Sequence, residues 1–165
     1  MIGILSAIQA PNHFDKLVLI SPSPAYINSG DYQGGFELED IQEMFQFMEA
    51  DYMGWSGMFG PFIMGNPDKP SLGEELTHSF CNTNSDIARH FARVTFLSDH
   101  RADLPYLQTP SLLLQCAQDM IAPIEVGTYM HQMMKNAHLV HLKATGHCPH
   151  LSAPLETIAA METFL

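Results

Sequence analysis

Two residues of this chain are of the right type and in the right order to move a proton. The run Pro110-Ser111-Leu112-Leu113-Leu114-Gln115-Cys116 reads as a buried strand and leads to Asp119, and a second strand-like segment is followed by the loop Gly146-His147-Cys148-Pro149-His150. A carboxylate and an imidazole after successive strands suit general-base chemistry: the acid accepts the Nδ1 proton and fixes the tautomer, which leaves Nε2 free to take a proton from a nucleophile. Either residue alone says little, because an aspartate after a strand is often a turn former or helix cap and a lone loop histidine is more often not catalytic. Together Asp119 and His147 form the candidate catalytic pair, two thirds of a hydrolytic triad.

The third member is expected on a Gly-x-Ser-x-Gly turn between a strand and a helix. No such turn occurs in the 165 residues. Gly54-Trp55-Ser56-Gly57-Met58 nearly spells it but ends in Met58 and lies in a helical pattern with no strand before it. Ser6 sits inside a helix-like run and fails for the same reason. A metal is not expected, since His147, Cys148 and His150 crowd three donors into four loop residues and no second pair stands at ligand spacing. No cofactor is implied, and His150 reads as a structural or supporting residue. The other histidines (His13, His78, His90, His100, His131, His138 and His141) have no readable partner.

The elements that must position the pair follow from periodicity. Residues up to about Gln9 read as a helix, and Lys16-Leu17-Val18-Leu19-Ile20 reads as a short buried parallel strand ending at Ser21-Pro22-Ser23-Pro24. Proline and glycine between Pro22 and Gly35 mark a change of regime. From Glu37 to Ser98 the pattern is helical, in three or four helices. Ile41, Met44, Phe45, Met48 and Tyr52 recur at helical spacing, Ser71 and Glu74 resemble a capping box, and Asp86 opens a helix carrying Ile87, Phe91, Val94 and Phe96. Alternation then resumes with strand 111–116, helix 124–134, strand 138–142 and helix 155–165. Strands alternating with helices predict an α/β fold with a mostly parallel sheet. The expected organisation is a core segment over 1–30, a helical lid insertion over 31–103, and a core segment over 104–165 carrying Asp119 and His147.

Composition narrows the partners. Seven Lys/Arg against 18 Asp/Glu give a net charge of −11 with no basic cluster, which disfavours nucleic acid and anionic membrane. No apolar run approaches the ~20 residues that span a bilayer. Three cysteines match no disulfide framework, so a reducing, cytoplasmic setting is expected. Five of the eleven methionines (Met44, Met48, Met53, Met58 and Met64) fall in the helical block, where they read mainly as core filler.

Longer stretches resemble a known family. Ser21-Pro22-Ser23-Pro24-Ala25-Tyr26-Ile27-Asn28, Tyr32-Gln33-Gly34-Gly35-Phe36-Glu37, Phe96-Leu97-Ser98-Asp99-His100-Arg101 and Gly146-His147-Cys148-Pro149-His150-Leu151-Ser152 look like the RsbQ-like α/β-hydrolases of bacterial sigma-B stress signalling, to which the plant karrikin and strigolactone receptors are similar. The resemblance implies a sheet covered by a four-helix lid, an apolar pocket between them, and Asp119 and His147 in the triad. It implies a Gly-His-Ser nucleophile turn just before Met1, so that this chain lacks the serine, both oxyanion donors and half of the sheet.

The implied function is that of a portion of a serine hydrolase opening an ester, lactone or similar acyl bond of a small hydrophobic molecule, in stress signalling. The alternatives are a small-molecule receptor with little turnover, or a truncated product inactive by itself. A phosphatase-type regulator is the signalling partner that the resemblance implies. Phe36, Phe45, Phe59, Phe62, Phe91 and Phe96 are open between pocket lining and lid core.

Overall fold

The computed structural model describes residues 1–165. Three strands, β1 (Leu17–Ile20), β2 (Ser111–Gln118) and β3 (Ala137–Thr145), form a parallel sheet in the order β1-β2-β3. Alternating side chains of β2 go to opposite faces, and both faces are covered. Leu113 packs with Ile4 and Ala7 of α1 (Ile2–Gln9) and with Val126 and Met130 of a helix over Ile124–Met133. Leu112, Leu114 and Cys116 pack with Leu142 and Ala144 of β3, and with Ala160 and Met161 of the helix over Pro154–Glu162. A strand buried on both faces is mostly apolar, and the Leu112-Leu113-Leu114 run with Cys116 is why 111–116 is legible as one.

The four helices expected between β1 and β2 are α2 (Leu38–Ala50), α3 (Tyr52–Met64), α4 (Pro70–Cys81) and α5 (Ser85–Phe96). The helix over Ile124–Met133 is then α6, Pro149–Ser152 is the short α7, and Pro154–Glu162 is α8. The loop into α2 is pinned by Asn28, whose Oδ1 accepts from the N–H groups of Gly34 and Gly35 at 2.8 and 3.0 Å and whose Nδ2 donates to Glu37. Lid and sheet share one apolar cluster through Ile121, which follows Asp119 and packs with Ile41, Trp55, Phe59 and Phe96.

Several helix signals resolve differently from their sequence reading. Ser71 and Glu74 form no capping box, because Pro70 starts α4 one residue earlier and places Ser71 inside the first turn. The capping box belongs to α2, between Glu37 and Asp40. Asp86 lies in the first turn of α5, and Asn84 caps that helix by accepting from the N–H groups of Asp86 and Ile87. Only Ala92 and Phe96 of α5 are buried, whereas Ile87, Phe91 and Val94 stand largely exposed. The methionines divide as well: Met48 and Met64 are buried, Met53 and Met58 are exposed.

The two sheet edges differ. The Glu156 carboxylate of α8 accepts from the N–H groups of Lys143 and Ala144 at 2.7 and 3.1 Å and so occupies part of the outer edge of β3. No strand pairs with the outer edge of β1, whose Val18, Leu19 and Ile20 are apolar yet only half-buried. An open apolar edge templates pairing with another chain. The 165-residue chain in solution is therefore expected to elute as associated species in size-exclusion chromatography with light scattering, and a monodisperse monomer at high concentration would count against this.

Candidate active site

Asp119 lies one residue beyond β2, just after an irregularity between Cys116 and Gln118 where the pairing with β3 shifts register. Such a bulge turns the strand end and re-aims the side chain that follows. The Asp119 side chain is fully buried. Its Oδ1 accepts from the N–H groups of Ile121 and Ala122 at 2.9 and 3.1 Å, so the turn into α6 holds the carboxylate rigidly. The other oxygen, Oδ2, lies 2.8 Å from Nδ1 of His147. With a carboxylate as acceptor, Nδ1 carries the proton and Nε2 is left with its lone pair. The His147 side chain is 22% exposed, so the ring is reached from outside while its partner is not.

The loop holding His147 is clamped between sheet and lid. The Gly146 N–H donates to the Gln118 carbonyl at 2.7 Å, and the His147 N–H donates to the Ile63 carbonyl at 2.9 Å, at the last turn of α3. A helix leaves its final carbonyls without internal partners, and here the histidine loop supplies one. Asn66 supplies another, donating from Nδ2 to the Met64 carbonyl and, at 3.0 Å, to the Thr145 carbonyl. Gly146 has φ +82°, and a Cβ there would overlap the carbonyl of Met64. Only glycine permits both that backbone angle and that approach.

An apolar cavity of about 390 Å³ opens beside the imidazole, among lid helices α2 to α5. Tyr26, Trp55, Phe59, Phe80 and Phe96 contribute to its wall together with His147. Trp55 and Phe59 also line a neighbouring cavity of about 540 Å³ with Phe36, Met44 and Phe47. The phenylalanines left open by the sequence are thereby sorted. Phe59, Phe91 and Phe96 border the cavity of His147, Phe36 and Phe62 border its neighbour, and Phe45 is lid core. Burial acts on the neighbouring ionisable groups. Burial pushes the Tyr26 phenol up to about 12, helped by the charge of Asp119, and burial followed by the same charge pushes the Cys148 thiol up to about 11. Cys116 is raised to about 11, again chiefly by burial. Both thiols stay protonated at neutral pH and are poor nucleophiles.

The other candidates stand apart from this site. Ser56 is fully buried in α3 and donates its hydroxyl to the Tyr52 carbonyl at 2.8 Å, and Ser6 lies within α1. No serine or cysteine side chain hydrogen-bonds to His147. His150 is exposed and forms no hydrogen bond, so it does not support the pair. His100, read as unpartnered, has Asp103 Oδ2 at 2.9 Å from its Nδ1, a local contact outside the cavity. Asn66, Tyr26 and Trp55 were not singled out by sequence. The Gly65-Asn66-Pro67 helix stop was the available signal for Asn66, although nothing in it points to the distant Thr145.

Comparison with known proteins bears on the fold. The family model Abhydrolase_4, described as TAP-like protein, matches residues 89–165. The karrikin insensitive 2 receptor CA of Petunia hybrida is 36% identical over 155 residues, spanning 93% of this chain and 57% of that protein. Strigolactone esterase RMS3 of Pisum sativum is 39% identical over 156 residues, spanning 93% of this chain and 58% of that protein. The structure of a hydrolase from Oleispira antarctica superposes with a TM-score of 0.91 at 35% identity, over 97% of this chain and 61% of that one. The fold is that of the α/β-hydrolases, and the chain is similar over most of its own length to members of that family. It spans a little under three fifths of the length of these curated relatives.

Two outcomes are expected from the site's construction. Gly146→Ala forces both the backbone angle and the contact with Met64, and costs more than about 2 kcal/mol in a denaturant titration. The second concerns alkali. Cys116 and Cys148 are raised from 9.0 to about 11, and Tyr26 from 10.0 to about 12. A raised folded-state pKa means that the folded chain holds the proton more tightly, so this stability is complete below the unfolded values and is lost as pH rises through the folded ones. The urea midpoint should fall between about pH 9 and 12, and Cys148→Ala should flatten the fall; a midpoint unchanged across that range would contradict the assignment.

Proposed function

We propose that Asp119 and His147 are the acid and base of a serine hydrolase that opens an ester, lactone or similar acyl bond of a small hydrophobic molecule held in the cavity. The observation that carries this reading is the Asp119 Oδ2–His147 Nδ1 bond of 2.8 Å at the floor of an apolar cavity. His147 Nε2 would remove the hydroxyl proton of a nucleophilic serine as its oxygen attacks the carbonyl, and would return that proton to the leaving alkoxide. Asp119 holds the ring's tautomer and stabilises the imidazolium that forms. The serine and one oxyanion donor of the whole protein would come from a strand–turn–helix unit outside these 165 residues, and the second oxyanion donor from a separate loop, on the order Ser, Asp, His that the fold uses.

A signalling role for the same cavity is the second reading. It is supported by the receptor relative and by the resemblance to the RsbQ group, with a phosphatase-type regulator as the partner and the three unpaired cysteines as a sign of a reducing, cytoplasmic setting. Slow turnover with ligand-dependent thermal stabilisation would favour it over fast multiple turnover.

The decisive assay measures 4-nitrophenyl butyrate hydrolysis. The 165-residue chain alone should not exceed its own His147→Ala variant. Fused behind a segment bearing the strand and Gly-His-Ser turn of a related hydrolase, it should turn over substrate, and Asp119→Asn should then lower kcat on the order of 10⁴-fold. Hydrolysis by the fused protein that survives His147→Ala would overturn the proposal.

A further inference from the structure

Gln115 is a fully buried amide within β2, between Leu114 and Cys116. Its Nε2 donates to the Ala122 carbonyl at 2.8 Å, and because that partner is a carbonyl the other end of the amide is its oxygen. This oxygen, Oε1, has no hydrogen-bond partner. Burying a polar atom unpaired costs stability, which is why native structures rarely leave one. Helix α6 gives way to the same side chain. At Gly127 a Cβ would stand 2.7 Å from Oε1 and 3.1 and 3.2 Å from Cγ and Cβ of Gln115, so glycine sits where alanine would favour the helix more. Two destabilising choices thus keep one hydrogen bond in place.

That bond ends on the turn that holds Asp119. The N–H groups of Ile121 and Ala122 donate to Asp119 Oδ1 at 2.9 and 3.1 Å, while Oδ2 meets His147 Nδ1 at 2.8 Å. Ala122 is therefore held from both sides, its N–H by the carboxylate and its carbonyl by Gln115. No backbone N–H donates to the Ala122 carbonyl, so the Gln115 amide is its anchor. Pro123 follows and has no N–H with which to fix the turn further.

We infer that Gln115 is a positioning residue for the candidate acid: it anchors the Ala122 end of the turn, so that Asp119 keeps Oδ2 on Nδ1 of His147. This rests on the reading that Asp119 and His147 are an acid and base pair. Gln115 neither bonds to the imidazole nor lines the cavity beside it, and so acts through the turn alone. When the turn relaxes, the carboxylate leaves Nδ1 and the ring is free to carry its proton on Nε2. That tautomer cannot take a proton from a nucleophile.

The test reads the tautomer of the neutral His147 ring by nitrogen NMR on the 165-residue chain, its signals identified by their loss in His147→Ala. The wild-type ring should carry its proton on Nδ1. Gln115→Met, which keeps the length of the side chain and removes the donor, should lower the ratio of the Nδ1–H to the Nε2–H form at least about tenfold. Leu107→Ala, a core truncation before the opposite end of β2, should lower stability and leave the ratio unchanged. Should Gln115→Met fail to fold, Gly127→Ala decides, because its methyl displaces Oε1 and should move the ratio the same way although alanine favours the helix. A ratio unmoved by the deciding variant, or moved equally by Leu107→Ala, would overturn the inference. In the fused hydrolase Gln115→Met should lower kcat on the order of 10²-fold with KM unchanged, and an effect on KM alone would count against it. The tautomer needs no turnover to be read. A fused protein that never hydrolyses esters would sink the catalytic reading, while the ratio in the 165-residue chain would still decide the role of Gln115.

Discussion

The contact between the end of α3 and the loop at Gly146 is the constraint on which the rest of the site depends. Helix α3 ends with carbonyls that its own turns cannot satisfy, and the loop ahead of His147 brings a backbone donor to one of them at 2.9 Å. The lid and the sheet are thus joined by backbone hydrogen bonds as well as by apolar packing. Gly146, at φ +82°, lets the loop pass against Met64, and the left-handed Gly65 ends the helix at the same place. Asn66 closes the arrangement by reaching Thr145 at the end of β3. Moving the lid therefore moves the histidine.

The acid side is set by different means. Asp119 is immobilised by the turn it begins, through the N–H groups of Ile121 and Ala122, and Ile121 carries its side chain into the lid core. One short segment consequently does two jobs: its backbone orients the carboxylate and its side chain ties that turn to the helices above. Burial at the same end of the sheet keeps the neighbouring phenol and thiol of Tyr26 and Cys148 uncharged.

Much of this arrangement is legible in the residue order. The run 111–116 reads as a strand because it is buried on both faces, and Asp119 and Gly146-His147 stand out because strand ends in open α/β sheets are where chemistry collects. Helix α5 shows the limit of such reading. Ile87, Phe91 and Val94 have the spacing of a core face, yet Ala92 and Phe96 are the residues that pack inward. Periodicity identifies an apolar stripe but carries no information about which neighbour, if any, will cover it. The capping signals failed for a similar reason, since Ser71-x-x-Glu74 is outcompeted by Pro70, whose fixed φ starts the helix first.

By itself the sequence determined the class of fold, the succession of elements and the candidates for the acid and base, because each is encoded in a local pattern of burial or in a side chain's own chemistry. Tertiary structure alone decided that Asp119 and His147, 28 residues apart, lie within hydrogen-bonding distance. It also decided that Asn66 reaches across 79 residues to Thr145, and which phenylalanines face the imidazole. These are matters of distance and direction between segments remote in the chain. No spacing rule encodes them, because they are set by how the lid helices settle on the sheet.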